Sequence, residues 1–307
     1  MRVVIAIGGN ALLRRGDKPD ADLQLQHLEA AATSLAPLAR GNELLICHGN
    51  GPQVGLLALE SEADTSLTRP YPLDVLGAQT QGMIGYWLGQ ALRNAGVTQP
   101  VVSVLTQTVV DRNDPAFNAP SKFIGKVYRE AEAHALAAAN DWTVAPDGEH
   151  WRRVVPSPEP LRVIEQGTIT QLLDSGTIVI CGGGGGAPVA EQPRGRLRGV
   201  EAVVDKDLVA AMLAITVDAQ RLLLLTDVPA VLQNYGTGQQ APLRTVDLDQ
   251  LATMTFPAGS MGPKIEACRR FVLATGRPAT IGALIEATGL FEGTSGTTVT
   301  DVITGAA

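Results

Sequence analysis

Cysteine is scarce: Cys47, Cys181 and Cys268 are the only three in 307 residues, and none stands in CxxC spacing. That excludes a disulfide framework and a zinc site of the ordinary kind, and it fits a reducing cytoplasm. Positive charge is also short. Lys and Arg number 24 against 31 Asp and Glu, a net charge of −7, so nucleic acid and anionic membrane surfaces are not expected partners. Any anionic ligand must be met by local positive charge. No run approaches the roughly 20 apolar residues of a spanning helix. Met1 leads straight into Arg2-Val-Val-Ile-Ala-Ile7, which reads as a strand, and no targeting segment is expected.

Several familiar motifs are missing as well. There is no GxxxxGK[ST] sequence, which excludes a P-loop nucleotide site as far as a motif can. The protein-kinase signatures are absent. GxGxxG spacing can be read into Gly182–Gly186, but that run lies far from the first strand and no ribose-binding acid follows it.

What is present suits an α/β enzyme. Apolar residues make up 45% and charged residues 18%, both ordinary, while 33 glycines exceed the usual share of about 7%. Short Val-, Ile- and Leu-rich runs recur at Val3–Ile7, Glu43–Cys47, Val101–Leu105, Thr177–Cys181, Arg221–Leu225 and Ala279–Leu284. Such continuous runs suit strands covered on both faces. Helical patterns lie between them, at Leu28–Leu38 and Leu73–Leu92, so the spacing predicts a mainly parallel sheet between helices. Residues 111–158 break the alternation and read as an inserted flap, with a hairpin signal at Asp147-Gly148. Gln233–Pro242 is a weak linker candidate. The length suits one main core carrying that insertion, with one half at about 1–176 and a second at about 177–307.

The predicted strands end in polar or glycine-rich turns, and ligands of open parallel sheets bind beyond strand carboxyl ends. Gly8-Gly9-Asn10 is either half of an anion cradle, where backbone N–H groups approach closely, or a tight turn. His48-Gly49-Asn50-Gly51-Pro52 is a second such turn that opens a helix. His48 reads as a structural hydrogen-bonding residue and stays outside the catalytic set. Cys181 precedes five glycines, Gly182–Gly186, which suit either a flexible linker or close approach of backbone to phosphate. Val204-Asp205-Lys206-Asp207 opens a helix and places one ammonium between two carboxylates. Lys264, in Gly259-Ser260-Met261-Gly262-Pro263-Lys264, sits at another helix start. Each lysine alone reads as a surface residue or as a group that stabilises charge shifting during phosphoryl transfer.

Taken together, these segments resemble the carbamate kinases of the amino acid kinase family. Ser121-Lys122-Phe123-Ile124-Gly125 and Trp151–Pro158 extend the resemblance through the insertion, so it covers nearly the whole chain. The resemblance implies an αβα sandwich with a protruding subdomain, a cytoplasmic homodimer, ATP or ADP with magnesium, and carbamate or carbamoyl phosphate as small-molecule substrate. It further implies an acceptor against Gly8, Gly9, Asn10, Gly49, Asn50 and Gly51. Nucleotide would lie at Gly183, Gly184, Lys206, Thr226, Asp227, Tyr235, Met261 and Lys264. Lys122, Lys206, Asp207 and Lys264 would be catalytic, Asp207 organising Lys206, with no metal ligand expected from side chains. The chain departs from the family pattern at Pro229–Asn234, near the implied nucleotide pocket, and at Lys126, where proline usually follows Gly125. Two other readings stay open: a sister kinase acting on an amino-acid carboxylate, and a nucleotide sensor without turnover.

Overall fold

The computed structural model describes residues 1–13, 16–256 and 261–301, with backbone alone at Asn10 and Ala11. Gly259 and Ser260 of the second lysine motif lie outside the described residues, as does the side chain of Asn10.

The first strand, Arg2–Ile7, shows how the sequence builds the core. Val3, Ile5 and Ile7 enter one apolar cluster with Leu28 and Leu35 of the helix Ala21–Ala39 and Leu88 of the helix Leu73–Asn94. Val4 and Ala6 enter another with Val209 and Leu213 of the helix Lys206–Thr216 and Phe271 of the helix Met261–Thr275. Successive side chains of a strand point to opposite faces, so a strand covered twice has no polar alternation. Each buried Val, Leu or Ile contributes on the order of 1.5–3 kcal/mol. The result is the mainly parallel sheet between helices that the apolar runs predict, arranged as the three-layer αβα sandwich that the resemblance implies.

Its central sheet has eight strands in the order Thr245–Asp247, Thr297–Thr300, Ala279–Ala283, Arg221–Thr226, Arg2–Ile7, Glu43–His48, Ile178–Ile180, Val101–Ser103. Every neighbouring pair is parallel except Ala279–Ala283 with Thr297–Thr300. Register aligns the ends of the three central strands, with Ile7 opposite both His48 and Leu225. The ladder runs one residue further, Gly8 N–H donating to Leu225 O at 2.8 Å and Gly49 N–H to Ile7 O at 2.9 Å. Gly8, Gly49 and Thr226 therefore leave the sheet side by side.

Residues 122–155 form a three-stranded sheet, Lys122–Tyr128, His150–Val155 and Thr143–Asp147, with the helix Glu130–Asn140. Gly148 turns the hairpin at φ 66°, a backbone angle glycine takes without strain. This flap rests on the helix Gly51–Ala63. The glycine run leads into a strand, Ala187–Gln192, of a separate four-stranded sheet, and one expectation changes. Gln233–Pro242 is no linker but the turn of a two-stranded ribbon pairing Leu232–Gln233 with Ala241–Pro242. Among the described residues, no helix is long and apolar enough to cross a membrane.

Candidate active site

The glycine turns fit one another at the sheet edge. A Cβ on Gly49 would lie 2.6 Å from Gly9 N and 2.8 Å from Gly9 Cα. Only a residue without a side chain lets the two loops touch there. Gly51 then starts the helix Gly51–Ala63 with Pro52 in its first turn, leaving backbone N–H groups of that turn to face an anion. Asn50 is buried and its Nδ2 donates to Thr80 Oγ1 at 2.8 Å.

The five-glycine run is packed onto this edge. Cβ atoms on Gly183 and Gly184 would meet His48 Nε2 at 2.4 Å and Asn50 Nδ2 at 2.1 Å. One on Gly185 would meet Val204 O at 2.3 Å, just before the lysine helix. Four of the five, Gly182, Gly184, Gly185 and Gly186, have φ between 61° and 86°. Close protein packing thus requires glycine here and removes the flexible-linker reading. Thr106 Oγ1 accepts from Gly182 N at 2.9 Å, and Thr108 Oγ1 donates to Gly185 O at 2.6 Å.

The lysines converge beside that run. Asp205 caps the helix Lys206–Thr216, its Oδ1 accepting from Asp207 N at 2.8 Å. Its Oδ2 accepts from Lys122 Nζ of the flap. Asp207 is shared: Oδ1 accepts from Lys206 Nζ at 2.6 Å and Oδ2 from Lys264 Nζ at 3.0 Å. Three ammonium groups thus meet two carboxylates in direct contact at a helix N-terminus, where the backbone dipole adds to the positive side.

Burial disfavours charge on Asp207, but Lys206 and Lys264 outweigh it and hold the carboxyl well below its usual range. Burial also tends to neutralise Lys264, and Asp207 reverses that, raising its pKa. Lys206 is lowered, because burial and the repulsion of Lys264 exceed what Asp207 returns. Burial opposes ionisation of Asp205 too, yet Lys122 draws it below the usual carboxylate value. His48 is pushed down to about 4 by burial and is a neutral imidazole at pH 7.

The structure therefore brings together Lys122, Lys206, Asp207 and Lys264, and joins the turns of Gly8, Gly9, Gly49, Asn50 and Gly51 to Gly183 and Gly184. Thr226 ends its strand beside Gly8, its hydroxyl donating to Asp227 Oδ1 at 3.1 Å, and the charge of Asp227 is felt at Lys264. Met261 begins the Lys264 helix and packs partly on the core. Tyr235 is not gathered in; it lies on the ribbon turn, 69% exposed. Asp205 is the residue sequence reasoning left out. Its capping position, directly before a helix start, was the available signal.

The family model of the amino acid kinases matches residues 1–283. The chain belongs to the amino acid kinase family. Within it, the chain groups with the carbamate kinases. It is 48% identical over 303 residues to the carbamate kinase of Rhizobium meliloti, covering 97% of this chain and 93% of that one. To the carbamate kinase of Escherichia coli K12 it is 47% identical over 297 residues, covering 97% and 98%. In structure it resembles the carbamate kinase from Giardia lamblia bound to citric acid, with TM-score 0.92, 39% identity and coverage of 97% and 98%. The same Giardia protein bound to AMP-PNP gives TM-score 0.87 at 39% identity, again covering 97% and 98%.

Proposed function

We propose that this chain catalyses reversible phosphoryl transfer between ATP and carbamate, giving carbamoyl phosphate and ADP, and that it runs toward ATP formation in the catabolism of arginine or allantoin. The single observation that carries this reading is the Asp207 carboxylate held between Lys206 and Lys264 beside the packed glycine turns.

Toward ATP, an oxygen of the ADP β-phosphate attacks phosphorus, the bond from phosphorus to the carbamoyl oxygen breaks, and carbamate leaves with the bonding pair. Both nucleophile and leaving group are anions, so no proton has to be moved. A site of lysines and backbone N–H groups suffices, because such transfer needs alignment and charge neutralisation. A histidine kept neutral at His48 is consistent with that.

In this reading Lys206 and Lys264 neutralise the transferring phosphoryl and nucleotide phosphates, and Lys122 reaches them from the flap when displaced from Asp205. Carbamate lies against Gly8, Gly9, Asn10, Gly49, Asn50 and Gly51. The nucleotide lies toward Gly183, Gly184, Thr226, Asp227 and Met261, with residues of about 1–176 serving the acceptor and about 177–307 the nucleotide. Among the described residues, no group of three or more His, Cys, Asp or Glu could hold a metal. Magnesium would neutralise phosphate charge, since it is commonly bound through substrate phosphates and water.

A cytoplasmic homodimer completes the proposal. Its support is the edge strand Val101–Ser103, where Val102 is 37% exposed, with Leu105 just beyond it at 51% and Tyr86, on the helix Leu73–Asn94 that packs on this strand, at 63%; an uncovered apolar edge calls for a partner. Sedimentation of the purified protein as a monomer at micromolar concentration would remove the dimer. For the activity, protein is mixed with ADP, magnesium and carbamoyl phosphate, and ATP is followed in a coupled assay. Absence of ATP above the blank rejects the reaction. Faster turnover of acetyl phosphate would assign a different small acceptor.

A further inference from the structure

The flap touches the body at three levels along one helix. At the start of that helix, Gly51–Ala63, Gly51 faces Phe123 O, which a Cβ would approach to 3.7 Å, and the neighbouring flap residue Lys122 reaches across to Asp205, the cap of the helix Lys206–Thr216. One turn on, Gly55 meets Gly125 of the flap strand. At the far end, Glu62 Oε1 accepts from Trp142 Nε1 at 3.0 Å and Arg153 Nη1 at 3.1 Å, with the Arg153 guanidinium 4.5 Å from the Trp142 ring centroid.

The middle level is the tightest. A Cβ on Gly55 would lie 2.0 Å from Gly125 Cα and 2.2 Å from Gly125 N. Both are backbone atoms, which cannot turn aside as a side chain can. Gly125 has φ 70° and sits at a register shift in the pairing of Lys122–Tyr128 with His150–Val155. Arg152 Nε donates to Gly125 O at 2.9 Å and fixes the peptide from the flap side. Restoring ordinary contact over an added Cβ requires the backbones to part by roughly 1.5 Å.

Gly125 is three residues from Lys122 on the same strand, and the Glu62 clamp lies about two helical turns farther out. A displacement at Gly55 is therefore carried straight to Lys122 while the outer clamp holds. A cavity of about 240 Å³, lined in part by Glu62, Tyr71, Arg153 and Glu201, adjoins that clamp and leaves space for the flap to tilt.

We propose, resting on the phosphotransferase reading above, that the Cβ-free contact of Gly55 with Gly125 is the bearing on which the flap turns, and that Gly55 is a positioning residue for Lys122. A one-ångström misplacement of a group at the reaction centre commonly costs about a hundredfold in rate.

The test compares wild type, Gly55→Ala, Lys122→Ala and the double variant. Gly82→Ala serves as control, since a Cβ there meets nothing within 4 Å. Gly55→Ala lowers kcat for ATP formation by roughly tenfold to a hundredfold with KM for ADP little changed. The double variant is no slower than Lys122→Ala, because both changes remove one function. Unchanged kcat in Gly55→Ala, or losses that multiply in the double variant, overturns the proposal. A readout independent of turnover is acetylation of Lys122 by an N-hydroxysuccinimide ester, followed by peptide mass against exposed Lys18. Freed from Asp205, Lys122 reacts severalfold faster in Gly55→Ala; equal rates overturn the bearing. If wild type makes no ATP, the reaction is rejected and the acetylation rates alone judge the contact. Should Gly55→Ala not fold, Gly125→Ala, whose strain is confined to the flap strand, is put through both measurements.

Discussion

Lys122 and Asp205 stand 83 positions apart in the chain and form an ion pair that fastens the flap to the start of the Lys206 helix. Asp205 serves two elements at once, since its other oxygen caps that helix. Asparagine is as good a cap as aspartate, so the two duties can be separated. Asp205→Asn keeps the helix start and loses the hold on Lys122, whereas Asp205→Ala loses both. Melting temperatures will show Asp205→Ala lower by the equivalent of about 1 kcal/mol relative to Asp205→Asn, with acetylation of Lys122 raised alike in both.

Asp207 carries a heavier load, because removing it leaves two ammonium groups buried against each other. Loss of one partner from a buried ionic cluster commonly costs about 3–5 kcal/mol. Asp207→Ala is therefore expected to lower the urea midpoint strongly. Asp207→Ala with Lys206→Met is expected to recover part of that loss, and a double variant no more stable than Asp207→Ala would contradict the shared-carboxylate account.

Turnover should depend on the lysines themselves. On the proposed site, Lys206→Met and Lys264→Met each remove a charge directed at the phosphates, and deletion of one such contact commonly costs about a hundredfold or more. Steady-state assays with ADP and carbamoyl phosphate check this, and a variant within threefold of wild type would displace that lysine from the site.

Gly49 leaves no space for a methyl group, since its Cβ would sit 2.6 Å from a backbone nitrogen of the neighbouring turn. Gly49→Ala must separate the two turns, and both stability and ATP formation fall. Gly77→Ala, where a Cβ meets nothing within 4 Å, leaves both near wild type.

His48 makes stability depend on acidity. Its folded pKa is about 4 against an ordinary 6.5, so between those values the unfolded chain takes up a proton that the folded chain refuses. Stability is complete above pH 6.5 and declines as pH falls toward 4, by up to about 3 kcal/mol. Melting temperatures across that window should fall less steeply for His48→Gln than for wild type, whatever its starting stability.

Much of this was legible in the residues. Val3–Ile7 and Arg221–Leu225 announce buried strands because both faces need apolar side chains, and Pro263 with Lys264 marks a helix start. The strand Ala187–Gln192 gave no such signal: it begins beside glycines, contains Pro188 and belongs to a small second sheet. The ribbon at Leu232–Gln233 and Ala241–Pro242 is too short and too exposed to leave a pattern. Lys206 and Lys264 read separately as surface lysines, and only the fold sets both against Asp207. Gly55 looks like any helix glycine until the flap is laid over it, a contact that no local spacing encodes.

The three lysines of the cluster lie inside a protein whose net charge is −7. On the proposed site, an incoming nucleotide polyanion is repelled at long range and attracted only within the cleft. Salt screens the distant field over about 10 Å at 0.1 M and reaches buried charges far less. Moderate ionic strength therefore speeds encounter with this enzyme instead of slowing it, opposite to the salt response of proteins that steer their ligands in with a positive surface.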